Sequence, residues 1–305
     1  MLLFLPNLLP RYVIFILTTI FVWAIFAMAC DIMIGYTGLL SFAHAVMFGM
    51  AGYGVAWAIV FFNLNVFISI AFGLLIALLL SLGIGFLALR ARGPQFIILT
   101  FIFCVITYTI LARASSVTGG IEGMNFPIPK IVIGSLEIPL YLTQPRYYFA
   151  IIFFVISYLI LNRIVKSPFG RILVAIRENE ERARFLGYNT LRYKFTAFFV
   201  AGIFSGLAGA VYSVVFGYAS PALVNFSIAT QAVLWIMFGG AGTLIGPILG
   251  CSILIPFVDY LSTLHQSYMI AVGAILIIVA FRFRRGIVGY VKKKMRTTEK
   301  AVEEG

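Results

Sequence analysis

Long apolar runs, separated by short polar breaks, set the pattern of this 305-residue chain. They predict membrane-crossing helices at about 12–30, 36–61, 66–89, 95–111, 147–161, 195–217, 225–238, 246–261 and 268–281. About 18 consecutive apolar residues, wound as a helix, cross a hydrocarbon layer roughly 30 Å thick. The ten-residue alternation of a membrane barrel does not occur. The expected fold is all-α, a polytopic helical membrane protein of about 8–10 transmembrane helices. It forms a single domain over 1–305, with no room for an added soluble domain of about 100 residues. Two features stay open. The segment Gly35 to Phe62 either crosses fully or re-enters, and the side of the N-terminus follows from that choice. Arg11 stands before the first run without a small-residue cleavage pattern, so that run reads as a retained span rather than a signal peptide.

The polar exceptions orient the rest. Between Arg163 and Lys194 lie eight Lys/Arg and three Glu, and a second basic cluster fills the tail, 282–305. Together these two places hold sixteen of the 22 basic residues. Basic clusters beside spans mark the cytoplasmic side, and the four predicted spans between the two clusters keep both on one side. By the same parity GGAGTLIGP (239–247) and the Arg90/Arg92 pair are cytoplasmic. The 113–146 segment, rich in Gly and Pro, is then an external loop without regular structure.

Composition narrows the function. The chain is 62% hydrophobic and 10% charged, with a mean hydropathy of +1.08, against about 25% charge in soluble domains. A net charge of +12 gathered beside spans points to a bilayer partner and not to nucleic acid. Cys30, Cys104 and Cys251 sit singly in apolar runs, with no disulfide or metal spacing. The two histidines, His44 and His265, lie on separate segments, and no phosphate-binding Gly-Lys pair exists. No catalytic or metal site is therefore expected, and the chain reads as something other than an enzyme. Asp31 and Asp259 fall at span ends, where a solvated anchor is the expected role. A proton site at Asp31 or His44, as in an ion-coupled secondary transporter, is the alternative.

Two stretches carry candidate function. From Gly35 to Phe62, glycines at 35, 38, 49, 52 and 54 flank Ser41 and His44. Such a stretch either lines a pore through a Gly-interrupted helix or packs tightly against a neighbour. In the basic segment, Ser167-Pro168 signals a helix start, and Gly187 a stop. Between them an amphipathic helix, 170–186, carries Leu173, Ile176, Ala183 and Leu186 on one face and charged residues on the other. It suits the groove of a soluble partner.

ILVAIRENEERARFLGYNTLRYK resembles the coupling loop of ABC importer permeases, with Glu180, Ala183 and Gly187 in the positions of its Glu, Ala and Gly. GYTGLLSFAHAVMFGMAGY, RARGPQFIILT, TGGIEG and GGAGTLIGPILG are similar, in that order, to segments of branched-chain amino acid permeases of the LivM type. The resemblance runs from about Cys30 to Arg285. Ala43-His44 stands where the family has Gly-His, and Pro94-Gln95 where it has an aromatic pair. The resemblance implies a multi-pass protein of a bacterial or archaeal cytoplasmic membrane, importing branched-chain or other apolar amino acids. Urea and short-chain amides are the alternative cargo. It implies as partners two cytoplasmic ATPase subunits, which hold the ATP–Mg that this chain does not bind, a paralogous permease subunit and an extracytoplasmic substrate-binding protein. Arg177, Glu178, Glu180, Ala183 and Gly187 are the expected ATPase contacts, and Ser41, His44, Phe48, Tyr53, Thr100 and Thr118 the expected pathway residues.

Overall fold

A computed structural model of the chain describes residues 9–91, 93–133, 136–264 and Gly273. Arg92, His265, the tail and, apart from Gly273, the expected span 268–281 lie outside the described residues. The first span, α1 (Arg11–Asp31), runs on as a π-helical turn, Ile32–Tyr36. After an irregular stretch, 37–43, come α2 (His44–Val60), α3 (Val66–Ala88) and α4 (Pro94–Arg113). The connecting segment holds a short α5 (Ser115–Thr118), a 3-10 turn, β1 (Met124–Asn125), and a hairpin of β2 (Lys130–Ile133) and β3 (Leu136–Pro139). Then follow α6 (Thr143–Lys166), α7 (Pro168–Glu178), α8 (Glu180–Phe185) and α9 (Thr190–Phe216). β4 (Tyr218–Ala219), a 3-10 turn (Pro221–Val224), α10 (Phe226–Gly239) and α11 (Ile245–Leu264) complete the described chain. Among the described residues six helices are long and apolar enough to cross a membrane, and α2 and α10 are shorter apolar helices. The chain is a polytopic all-α membrane protein.

Local chemistry sets these boundaries. Asn65, Asn189 and Asn225 each precede a helix and accept a backbone N–H from its first turn through Oδ1, at 2.9, 3.1 and 3.1 Å, which satisfies donors that the helix itself leaves unpaired. Pro94 and Pro168 occupy first helical positions, where the missing N–H costs nothing. Gly217, at φ 65°, closes α9 in the left-handed region.

Three expectations change. The run 36–61 is not one helix: a π turn and an irregular stretch precede α2, which starts only at His44. The helix expected over 170–186 is two, because Asn179 is extended (φ −160°, ψ 100°) and uses its side chain to cap α8. The 113–146 segment holds regular structure after all. The β2–β3 hairpin, and a pairing of β1 with β4, let backbone groups satisfy each other across distant positions.

Chain direction follows from contacts at the two ends. At one end Arg177 donates to the carbonyl of Gly35, and the N–H of Gly242 to Asp31. At the other, Trp57 donates to Val117 O (3.0 Å), Tyr218 to Glu122 O (3.0 Å), and the Phe15 and Phe216 rings meet edge-on at 5.8 Å. So α1 runs toward the Arg177 end and α9 away from it. Around this antiparallel pair the chain builds the same unit twice in opposite sense. Each unit is a long helix ending near a Gly-Tyr pair (Gly35-Tyr36, Gly217-Tyr218), an irregular return, a short helix and a long helix. The two units exchange partners: α2 and α3 pack on α9, while α10 and α11 pack on α1. Small residues make this closeness possible. A methyl on Gly206 would sit 2.3 Å from the Ala77 Cβ, and one on Gly209 1.8 Å from the Phe48 carbonyl. The outward faces of α3, α4 and α6 are apolar, with Leu79, Ile98 and Leu159 each nearly three-fifths exposed, as helices facing lipid are.

Candidate functional site

The basic segment folds as a bracket across the Arg177 end. In α7, Leu173 and Ile176 are buried and anchor the helix, while Arg171 and Glu178 stand in solvent. In α8 most of the expected contact residues turn inward. Ala183 is buried. Glu180 accepts from Arg184 Nη2 (2.7 Å), Lys194 Nζ (2.5 Å) and Thr190 Oγ1 (3.0 Å), which fastens α8 to the first turns of α9. Partial burial pushes the Glu180 carboxyl up. The Lys194 ammonium, Thr190 and Arg184 together outweigh that and hold it below the ordinary glutamate value. Gly187, at φ 90° with open space around it, turns the chain into α9. What faces outward is apolar: Phe185 is 90% exposed and Leu186 70%, between the exposed polar residues Glu181, Arg182 and Asn189. Sequence periodicity places Leu186 on the buried face. The break at Asn179 resets the helical phase and exposes it.

Beneath the bracket lies a polar node that joins both units of the fold. Arg177, the cation in the last turn of α7, lays its stem against Gly38, where a Cβ would fall 2.8 Å from its Cγ. Its guanidinium donates to the Gly35 carbonyl, a group in the π turn. Asp31, completely buried, accepts the Gly242 N–H at 2.9 Å from the turn between α10 and α11. Its second oxygen has no hydrogen-bond partner among the described residues. Arg177 also borders the Gly242 turn, where a Cβ built on Gly242 would fall 3.0 Å from its Nη1. The solvated-anchor expectation for Asp31 is therefore corrected: at the end of α1 the carboxylate is buried and held against the Gly242 turn. Asp259, the other span-end acid, accepts from the Tyr12 hydroxyl across α1 and α11.

The six expected pathway residues are packed inside the fold. Phe48 is stacked on Trp23 (5.0 Å, 12°) and touches Phe26 and Tyr212. His44 lies against the Phe198 ring at 4.9 Å, its Nε2 unpaired among the described residues. Ser41 is buried, its hydroxyl likewise unpaired. Thr100 accepts the Phe42 N–H at 3.3 Å and so closes α4 over the return 37–43. Tyr53 reaches the Thr118 carbonyl (3.4 Å), and Thr118 ties α4 to the TGGIEG turn through Leu111 O (2.6 Å) and the Gly120 N–H (3.2 Å). Two open clefts are described, of about 470 and 400 Å³, both beside the start of α9. Neither touches these six residues. Among the described residues no group of three or more His, Cys, Asp or Glu could hold a metal ion.

Comparison with known proteins agrees with this architecture. The family model described as branched-chain amino acid transport system, permease component, matches residues 12–282. The chain is 24% identical to the high-affinity branched-chain amino acid transport system permease protein LivM of Escherichia coli, over 95% of this chain and 73% of that protein. Shorter stretches are similar to the ribose import permease protein RbsC of Bacillus subtilis (31% identity, 42% of this chain and 41% of that protein) and to the autoinducer 2 import system permease protein LsrC of Photorhabdus laumondii (37%, 28% of each). No solved structure matches.

Proposed function

Because the chain belongs to the permease-component family of branched-chain amino acid transport systems, we propose that it is the membrane subunit of an ATP-driven importer for branched-chain or other apolar amino acids. The observation that carries the coupling part of this reading is the α7–α8 bracket with Phe185 and Leu186 held out from it. Two large apolar side chains on a water-facing surface cost free energy unless a partner covers them, and a cluster of this kind forms the centre of a protein contact. The partner is a cytoplasmic ATPase subunit with an apolar-lined groove; Glu178 and Gly187 border the contact. Arg177, Glu180 and Ala183 support it from behind by fixing the bracket. When ATP draws two ATPase subunits together, movement of α7 reaches the membrane domain through Arg177, which touches both Gly35 in the π turn after α1 and the Gly242 turn. A ligand shifts such an equilibrium only by binding one state better than the other, and Arg177 is the connection through which that difference acts. The remaining partners are a second, paralogous permease subunit and an extracytoplasmic binding protein, in a bacterial or archaeal cytoplasmic membrane. Similarity to LivM over 95% of this chain favours amino acids over the sugar and autoinducer cargo of the partial matches.

Co-purification with the ATPase subunits tests the contact. Phe185→Ala with Leu186→Ala is expected to weaken it by about 2 kcal/mol or more, roughly 30-fold in Kd, whereas Glu181→Gln leaves it within about twofold. Undiminished assembly and ATPase stimulation in the double variant would rule out the bracket tip as the contact. Uptake of leucine against ribose and urea in proteoliposomes of the full complex tests the cargo.

A further inference from the structure

The packed state of the six expected pathway residues leaves open which surface meets the solute. The two short helices are equivalents in the two units of the fold, but they are not equally covered. α2 is buried along most of its length, from His44 to Ala58. Among the described residues α10 is buried along one side, through Ala229, Ala232, Trp235, Ile236 and Gly239. Its other side presents Phe226, Ser227, Gln231 and Met237 in exposed positions, with Thr230 and Leu234 half-buried among them.

The depth of this stripe matters more than its exposure. The Phe226 ring meets Phe101, inside α4, at 5.0 Å. Trp235 meets Trp23, at the middle of the span Arg11–Tyr36, at 5.4 Å. Ser227 and Gln231 lie between these two contacts, one turn apart at 1.5 Å per residue, and so sit deep in the membrane. The exposed residues at comparable depth on α3, α4 and α6 are apolar: Leu75, Leu79, Ile102, Val105, Ile156 and Leu159. A primary amide facing hydrocarbon with no partner costs several kcal/mol. Gln231 has two donors and an acceptor, and no described residue of this chain pairs with them. Thr230 returns its hydroxyl to the Phe226 carbonyl at 3.0 Å, so the open hydrogen-bonding capacity belongs to Gln231 and Ser227.

We infer that this face of α10 lines the translocation pathway, opposite the second permease subunit, and that its occupant is a small zwitterion with an apolar side chain. The Gln231 amide and the Ser227 hydroxyl serve the charged head, while Phe226, Leu234 and Met237 accompany the apolar part. This assignment rests on the importer reading above and gives it a surface. An unbroken apolar stripe would suit lipid; a strongly charged one would bind a zwitterion too tightly to release it.

Thiol accessibility tests the inference with the complex intact. The native Cys30, Cys104 and Cys251 are buried, so the background is low. Single Gln231→Cys and Ser227→Cys variants, and Leu79→Cys on the lipid-facing side of α3, are treated with a membrane-impermeant thiosulfonate in proteoliposomes that take up leucine. Modification at 231 and 227 is expected at least tenfold faster than at 79, and slowed severalfold by saturating leucine. A Gln231→Leu variant is expected to raise the KM for uptake about tenfold with ATPase assembly intact. If uptake persists while 231 reacts no faster than 79, lipid or a dry subunit contact covers the face and the inference falls. Fast labelling that leucine leaves unchanged overturns the solute assignment. Absence of uptake of leucine and of every other apolar amino acid by the unsubstituted complex instead overturns the importer reading itself.

Discussion

Adding one methyl group to Gly35 tests the node beneath the bracket. Its Cβ would lie 2.1 Å from Asp31 Oδ1 and 2.2 Å from the Gly242 nitrogen, where real Cβ contacts stay above 3.0 Å. Both neighbours must therefore retreat by nearly 1 Å, by subtraction of those distances, and together they are the donor and acceptor of one partly buried hydrogen bond. Losing that bond and leaving its groups unpaired costs about 1–3 kcal/mol, and overpacking adds about 1–3 kcal/mol. Against this, replacing glycine stiffens the unfolded chain and returns about 0.4–1 kcal/mol. Gly35→Ala is thus expected to destabilise by roughly 2–4 kcal/mol, since the bond and the clash share atoms and do not add fully. Gly83→Ala provides the opposite sign. That glycine lies inside α3, and a methyl added to it would meet nothing within 4 Å, so the substitution is expected to stabilise by about 0.5–1 kcal/mol. The assay is thermal melting of the purified complex followed by intrinsic fluorescence at one fixed scan rate, because membrane proteins of this size unfold irreversibly. Asp31→Ala removes the clashing oxygen, so in the double variant Gly35→Ala is expected to cost clearly less than it does alone. If Gly35→Ala melts at or above the unsubstituted protein, or if Asp31→Ala leaves its cost unchanged, the proposed geometry of the node is wrong.

Other expectations follow from the same geometry. Glu180→Gln weakens the grip of α8 on Lys194 and Arg184 by about 1 kcal/mol after solvent screening, and hydrogen exchange in Glu180–Phe185 is expected to rise. The carboxyl is held below its ordinary value in the folded state. Its contribution is therefore present above the unfolded glutamate value and is lost as pH falls through the folded one; exchange of α8 measured on the acid side of that range is expected to converge for Glu180→Gln and the unsubstituted protein. Phe48→Ala, which empties a fully buried site against Trp23, is expected to cost about 3–5 kcal/mol. Leu79→Ala, at 59% exposure, is expected to stay within about 0.5 kcal/mol. Melting temperatures of the two complexes check that contrast.

The site residues show where sequence reasoning stops. Glu180, Ala183 and Gly187 are legible as a motif, but spacing along a chain cannot tell a side chain that touches a partner from one that holds the partner's contact in place. Continuing one helical phase through Asn179 puts Leu186 on the wrong face. Phe185 gives no periodic signal, since an apolar residue in a charged helix is ambiguous until its neighbours are placed. Asp31 looks solvated because it ends an apolar run, and nothing local announces the Gly242 turn, 211 residues on, that pairs with it.

Hydropathy alone determined that this is a helical membrane protein. It located most of the spans and singled out the basic segment as the odd element, because crossing hydrocarbon requires long apolar runs and leaves a signal that local composition carries. The family came from motif resemblance in the same way. The tertiary structure alone decided that the chain builds one unit twice in opposite sense, exchanging short helices between the units. Gly-Tyr pairs and the short runs MFGMAG (47–52) and MFGGAG (237–242) recur in the two copies, but it is the packing that shows them as one unit. It also decided that α2 is sealed while α10 is open, and that the Arg177 guanidinium bonds the Gly35 carbonyl. These depend on which surfaces meet across more than a hundred residues of chain, where burial and hydrogen-bond partners are set by neighbours that no window of sequence contains.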